Sequence, residues 1–153
     1  MTVIALDHFT VRTPKLLETC EFFEQVAGLK VGPRPPFPFD GRWLYQGEWP
    51  AVHLAVSDPS DHGLKGYLGD REVAAGGGSG VVDHIAFRCK DLPAFEARLR
   101  GLGKAYRGRT VPAQKEHQVF VVDPNGMTVE FIFNSSETAS WDGSGEYAPP
   151  TAA

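Results

Sequence analysis

Two stretches decide the fold: Asp7-His8-Phe9-Thr10-Val11-Arg12 and, 76 residues later, Asp83-His84-Ile85-Ala86-Phe87-Arg88. Each joins an acidic residue to a histidine and then alternates bulky side chains with small or polar ones, the period of a strand with one buried face. The segments that follow are matched as well. Leu16, Leu17, Cys20 and Phe23 in the first half, and Leu92, Phe95, Leu99 and Leu102 in the second, recur at helical spacing. Pro14 and Pro93 sit in the first turn, where a missing N–H is tolerated, and Gly28 and Gly103 lie near the C-terminal ends. The chain is therefore an internal repeat in which a helix follows the first strand of each half.

Short extended runs complete the halves: about 29–32, 41–46 and 50–57, then about 104–108, 116–122 and 127–134. The last two runs of each half are separated by turn chemistry, Gly47-Glu48-Trp49-Pro50 and Asp123-Pro124-Asn125-Gly126. Each half reads βαβββ, so the expected class is α+β. One domain is expected over residues 1–134, made of module 3–57, linker 58–80 and module 81–134. The linker contains Asp58-Pro59-Ser60-Asp61-His62-Gly63 and the Gly76–Gly80 run and is too polar and glycine-rich to pack. The tail, 135–153, is expected to be loose or docked late.

Composition agrees with one folded domain: 153 residues, 42% hydrophobic and 11% aromatic, lie near the average of globular chains. The formal net charge of -4 would repel phosphate backbones and anionic membrane surfaces, so nucleic acid and membrane are not expected as partners. Two cysteines, Cys20 and Cys89, are too few for a disulfide framework. Met1-Thr2-Val3-Ile4 lacks the basic region and apolar run of a signal peptide, which makes the cytoplasm the expected compartment.

Alternation across a strand groups His8, Thr10 and Arg12 against Phe9 and Val11, and His84, Ala86 and Arg88 against Ile85 and Phe87. It likewise sets Ala51, His53 and Ala55 against Val52, Leu54 and Val56, and Thr128, Glu130 and Ile132 against Val129, Phe131 and Phe133. Each strand has a bulky face for the core and a sparse face carrying one potential metal ligand, a pattern that suits a concave cleft. His8 to His53 spans 45 residues and His84 to Glu130 spans 46, so the ligand positions obey the repeat. Three imidazoles and a carboxylate suit a divalent ion such as Zn²⁺, Ni²⁺, Co²⁺, Mn²⁺ or Fe²⁺, with positions left open for water or substrate.

These residues resemble the vicinal oxygen chelate superfamily, which includes glyoxalase I, fosfomycin resistance proteins, extradiol dioxygenases and bleomycin resistance proteins. The carriers are the paired Asp-His starts, Gly28-Leu29, and Asp123-Pro124-Asn125-Gly126-Met127-Thr128-Val129-Glu130, which is similar to the family's D-P-x-G-x-x-x-E ending. The resemblance implies an open, curved eight-stranded mixed sheet, a metal in its cup that chelates two substrate oxygens, and a homodimer, for which Trp49 and Trp141 are candidate contacts. Bleomycin-binding members lack the metal ligands, whereas this chain keeps a candidate at all four positions, which favours a metalloenzyme over a non-catalytic binding protein.

Extradiol dioxygenases carry a Tyr ten residues before the ligand Glu and a His upstream of it. Here those places hold Phe120 and Arg109-Thr110-Val111-Pro112, so ring cleavage is the alternative rather than the first reading. Glyoxalase I is similar at His8 and Arg12 and differs at His53 and Ser57; fosfomycin resistance proteins share His8, His84 and Glu130 by position. The expected activity is a lyase or isomerase reaction on a small chelating substrate, with Glu130 as base and His53 as proton relay. Arg12 and Arg88 would favour an oxyanion or would form rim salt bridges, and Trp43 and Phe120 would line the cup around a planar group or would pack its floor. His62 and His117 read as surface histidines, and Cys20 and Cys89 as buried rather than nucleophilic.

Overall fold

The structure, a computed structural model, describes residues 5–57, 62–68, 77–80 and 82–150. It divides into two units, Met1–Gly76 and Gly77–Ala153. The first holds β1 (Phe9–Thr13), α1 (Leu16–Gln25), β2 (Lys30–Gly32), β3 (Gly41–Gln46), β4 (Trp49–Val56) and α2 (His62–Leu68). The second holds β5 (His84–Arg88), α3 (Leu92–Gly101), β6 (Tyr106–Val111), a 3-10 turn (Pro112–Gln114), β7 (Glu116–Val122), β8 (Thr128–Asn134) and β9 (Ser144–Tyr147). The class is α+β, with the βαβββ order expected of each half.

Each unit is built on one mixed sheet, ordered β1-β4-β3-β2 in the first and β5-β8-β7-β6-β9 in the second. The first and last strands of each repeat run parallel, and the remaining pairs are antiparallel. The expected eight strands are thus divided between two sheets, and a ninth comes from the tail. Gly28 and Gly103 both adopt positive φ. They turn the chain so that the Leu29 N–H caps Phe23 and the Lys104 N–H caps Leu99. Asp91 caps the other end of α3, accepting from the Ala94 N–H at 3.3 Å.

The apolar faces pack as the alternation requires. Phe22, Phe23, Val26, Leu44, Val52 and Leu54 fill the first core; Leu92, Phe95, Leu99, Val119, Val121, Val129, Phe131 and Phe133 fill the second. Phe95 packs on Phe131 and Phe133 with ring centroids 4.7 and 5.3 Å away. A fully buried side chain of this size stabilises the fold by about 1.5–3 kcal/mol.

Two readings of connecting segments change. Residues 62–68 form α2 and bury Leu64, so this part of the 58–80 segment is folded; residues 58–61, 69–76 and 81 lie outside the described residues. The glycine run is engaged as well: the Gly78 N–H donates to Asn125 O at 2.6 Å, and a side chain on Gly77 would meet that same oxygen.

The tail is docked, because β9 pairs with β6 and Trp141 lies on Gly108, where any Cβ would come within 2.6 Å of its ring. Buried Glu96 on α3 holds the tail by accepting from the Tyr106 hydroxyl at 2.7 Å, the Ser140 N–H at 3.0 Å and the Ser140 hydroxyl. Among the described residues no helix is long and apolar enough to cross a membrane.

Candidate functional site

The repeat places its special residues by register. In the first unit Thr10 on β1 and Trp43 on β3 both stand opposite His53 on β4. In the second, Ala86 on β5 and Phe120 on β7 both stand opposite Glu130 on β8. Directly paired residues project to one face of a sheet. Trp43 therefore shares a face with His53, and Phe120 shares one with Glu130. His8 immediately precedes β1, and His84 opens β5 beside Thr128.

In the first unit the rings lie flat on one another. His53 stacks on His8 at 3.9 Å and on Trp43 at 4.0 Å, with interplanar angles of 21° and 4°. The stack borders a cavity of about 400 Å³ that is also lined by Thr10, Phe37 and Phe39. Burial, with the neighbouring His8 adding to it, lowers the His53 pKa below the ordinary imidazole value. Its Nε2 is buried without a hydrogen-bond partner.

In the second unit the groups meet edge to edge. His84 Nε2 lies 2.8 Å from Glu130 Oε2, and Glu130 is only 4% exposed. On the other side of the ring, His84 Nδ1 lies 2.7 Å from the Asp83 carboxylate. The Asp83 hydrogen bond, supported by the charge of Glu130, raises the His84 pKa. Asp7 engages the His8 ring through the same nitrogen, with Nδ1 and Oδ2 2.6 Å apart.

The arginines divide. Arg88 takes the rim salt bridge, 2.9 Å from Glu116 Oε1. Arg12 instead keeps a buried Nε with no hydrogen-bond partner. Cys20 is buried and Cys89 half-buried; burial pushes the Cys89 thiol up to about 11, which suppresses the thiolate.

His62 is exposed, as read, but His117 is not a surface histidine. It is in phase with the core residues Val119 and Val121, and its ring is bracketed by Thr110 Oγ1 at 2.9 Å and Glu137 O at 3.0 Å. Trp141, taken from sequence as a dimer contact, meets it edge-on and donates Nε1–H to Thr110 Oγ1 at 3.1 Å.

Sequence reasoning passed over Asp7 and Asp83, although both are part of the repeated Asp-His dipeptide. It also passed over Phe37 and Phe39, which sit in an aperiodic stretch containing Pro33, Pro35, Pro36 and Pro38.

Each pair offers donor atoms of the kind that a divalent ion takes. Asp7 and Asp83 each engage Nδ1, leaving Nε2 of His8 and His84 as the donor, the arrangement that ligating histidines use. His84 Nε2 and Glu130 Oε2 already face one another, and His53 has an orphaned buried Nε2. Within neither unit do three His, Cys, Asp or Glu side chains form a metal-holding group among the described residues. What the structure brings together is therefore two pairs, His8 with His53 and His84 with Glu130.

No family model and no curated protein matches the sequence. Solved structures do match. A glyoxalase family protein from Bacillus anthracis has a TM-score of 0.63 at 21% identity, over 88% of this chain and 98% of that one. A lactoylglutathione lyase from Agrobacterium tumefaciens has a TM-score of 0.60 at 16% identity, over 88% and 97%. TnmS3, an antibiotic binding protein from a Streptomyces species, has a TM-score of 0.59 at 17% identity, over 88% and 98%. At these identities the likeness is one of fold, and the chain has a glyoxalase-like fold.

Proposed function

We propose that this chain is a metal-dependent lyase or isomerase acting on a small substrate that offers two oxygens to the ion, with His8, His53, His84 and Glu130 as the metal donors. The observation that carries the reading is the His84–Glu130 pair, a buried carboxylate set edge-on at 2.8 Å to an imidazole whose other nitrogen is engaged by Asp83. When bound, a divalent ion supplies Lewis-acid polarisation of a substrate oxygen. Glu130 accepts a proton at Oε2 and returns it; its near-complete burial keeps bulk water from competing for that proton. His53, whose pKa burial lowers, is the second proton carrier. Phe120, opposite Glu130, and Trp43, opposite His53, orient a planar part of the substrate.

A second reading has its own observation: the stacked His8, His53 and Trp43 rings beside Phe37 and Phe39 form an aromatic wall suited to a binding protein for a planar molecule. One neighbour in fold is an antibiotic binding protein.

Protein loaded with Ni²⁺ or Fe²⁺ and offered dicarbonyl–thiol adducts and catechols, anaerobically and in air, separates the readings. Oxygen-independent turnover that is lost in Glu130→Gln with the metal retained supports the lyase or isomerase. Turnover that needs both Fe²⁺ and oxygen makes it a dioxygenase, and metal-independent ligand binding without turnover makes it a binder. Metal content of about one equivalent per chain, lost on Glu130→Ala and also on His8→Ala, is expected if both pairs serve one ion. We also propose a homodimer in the cytoplasm. Trp49, 50% exposed, is its candidate contact, and a monomeric sedimentation profile at micromolar concentration overturns it.

A further inference from the structure

The face of the second sheet that carries Glu130 also carries two arginines, Arg107 and Arg109. Register runs from Glu130 on β8 to Phe120 on β7 and on to Arg107 on β6, so these three project to one side; Gln118 and Arg109 form the next rung. Both guanidinium carbons lie over the Phe120 ring, Arg107 at 5.4 Å and Arg109 at 5.0 Å from its centroid. Phe120 itself meets the His84 ring edge-on at 6.2 Å.

A solvent-exposed arginine ordinarily samples many rotamers, and holding one still costs side-chain entropy. Arg109 is held at two points. Its Nε donates to Gln118 Oε1 at 2.7 Å while its guanidinium covers Phe120. Gln118 is 6% exposed, and the Glu116 carboxylate beyond it is taken by Arg88. Arg88 thereby occupies the Glu116 carboxylate, and Arg109 is bonded to a neutral amide. Arg107 lines a cleft of about 570 Å³ with Lys104, Phe120, Thr128 and Tyr147, where Glu146 is the opposing charge.

We propose that Arg107 and Arg109, positioned on Phe120, form an oxyanion subsite beside the His84–Glu130 pair, so that the substrate is an anion. This rests on reading the Glu130 face as the substrate site. A carboxylate and a phosphonate or phosphate satisfy the same chemistry, since the planar guanidinium fork bonds two oxygens of either. Two cations fixed two residues apart repel each other until an anion lies between them, and the aromatic ring keeps water from one side of each.

The test measures binding of benzoate and phenylphosphonate to the full chain stripped of metal, with benzyl alcohol as the uncharged control, by calorimetry or amide chemical shifts. Both anions are expected to bind at least tenfold more tightly than benzyl alcohol. Each of Arg107→Gln and Arg109→Gln is expected to weaken them about tenfold, while exposed Lys30→Gln leaves them unchanged. The tighter of the two anions names the substrate's charged group. Equal affinity for benzyl alcohol and benzoate, or anion binding unmoved by both arginine variants, overturns the subsite. Because this binding needs neither metal nor turnover, an inactive chain that passes the test keeps the subsite and loses the lyase. A metal-dependent enzyme whose KM for its substrate is unmoved in Arg107→Gln and Arg109→Gln keeps the lyase and loses the subsite.

Discussion

At the last-strand position of the repeat the first unit has an imidazole, His53, and the second a carboxylate, Glu130; the residues opposite them, Trp43 and Phe120, are both aromatic. The imidazole is drawn flat between rings, 3.9 Å from His8 and 4.0 Å from Trp43, and burial lowers its pKa. The carboxylate cannot stack; it accepts at its edge, so it turns His84 edge-on and, together with Asp83, raises that histidine's pKa. One backbone plan with one exchanged residue type thus gives an aromatic wall in one unit and a proton-sharing pair in the other.

The largest break in that comparison is expected from Glu130→Gln. Turnover should fall on the order of 10²–10⁴-fold, the usual worth of a general base, with metal content retained. His53→Gln should cost clearly less, and a loss as large as that of Glu130→Gln would move the base to the first unit. Next come the supporting aspartates. Asp83→Asn and Asp7→Asn should each weaken metal binding by about 10–100-fold in competition with a chromophoric chelator, and an unchanged affinity in Asp83→Asn would separate the His84 pair from the metal.

A smaller effect sharpens the contrast in architecture, since β9 and the docked tail have no counterpart in the first unit's described residues. Trp141→Phe removes the hydrogen bond to Thr110 and should lower stability by about 1 kcal/mol, read as a lower urea midpoint. No change in the midpoint would mean that the tail contributes nothing through this bond.

The smallest effect is in pH dependence, where the two histidines should behave oppositely in metal-stripped protein. His84 has a raised pKa, so its contribution to stability is complete below the ordinary imidazole value of 6.5 and is lost as pH rises through the raised value. His53 has a lowered pKa, so its contribution is present above 6.5 and is lost as pH falls through the lowered value. Ring-proton titrations should place His84 above and His53 below 6.5. Glu130→Gln should bring His84 down, and Trp43→Leu, by opening the stack to water, should bring His53 up. The reverse order of the two histidines would undo the contrast.

Most strand boundaries were legible because burial of one face enforces strict alternation. β3 and β7 begin and end where expected, and β4 and β8 do so within a residue. β6 runs over 106–111 rather than about 104–108, since Gly103 and Lys104 are spent on closing α3. The tail and α2 were not legible. Ser140 and Trp141 look like any polar or aromatic tail residues until Glu96 and Gly108, far away in sequence, supply their partners. His117 was legible in its phase with Val119 and Val121, but its two hydrogen-bond partners come from Thr110 and Glu137.

The sequence by itself determined the repeat, the βαβββ order, the core faces and the equivalence of His53 with Glu130, because each of these follows from local periodicity, and chain geometry converts periodicity into a face. Tertiary structure alone decided that His8 and His53 stack while His84 and Glu130 meet edge to edge. It alone decided that Arg88 is spent on Glu116 while Arg107 and Arg109 lie over Phe120, and that Trp141 packs on its own chain. These outcomes depend on how side chains from strands distant in sequence compete for the same neighbours. That competition is settled by ångström-scale distances and by the loss of water, neither of which a linear pattern encodes.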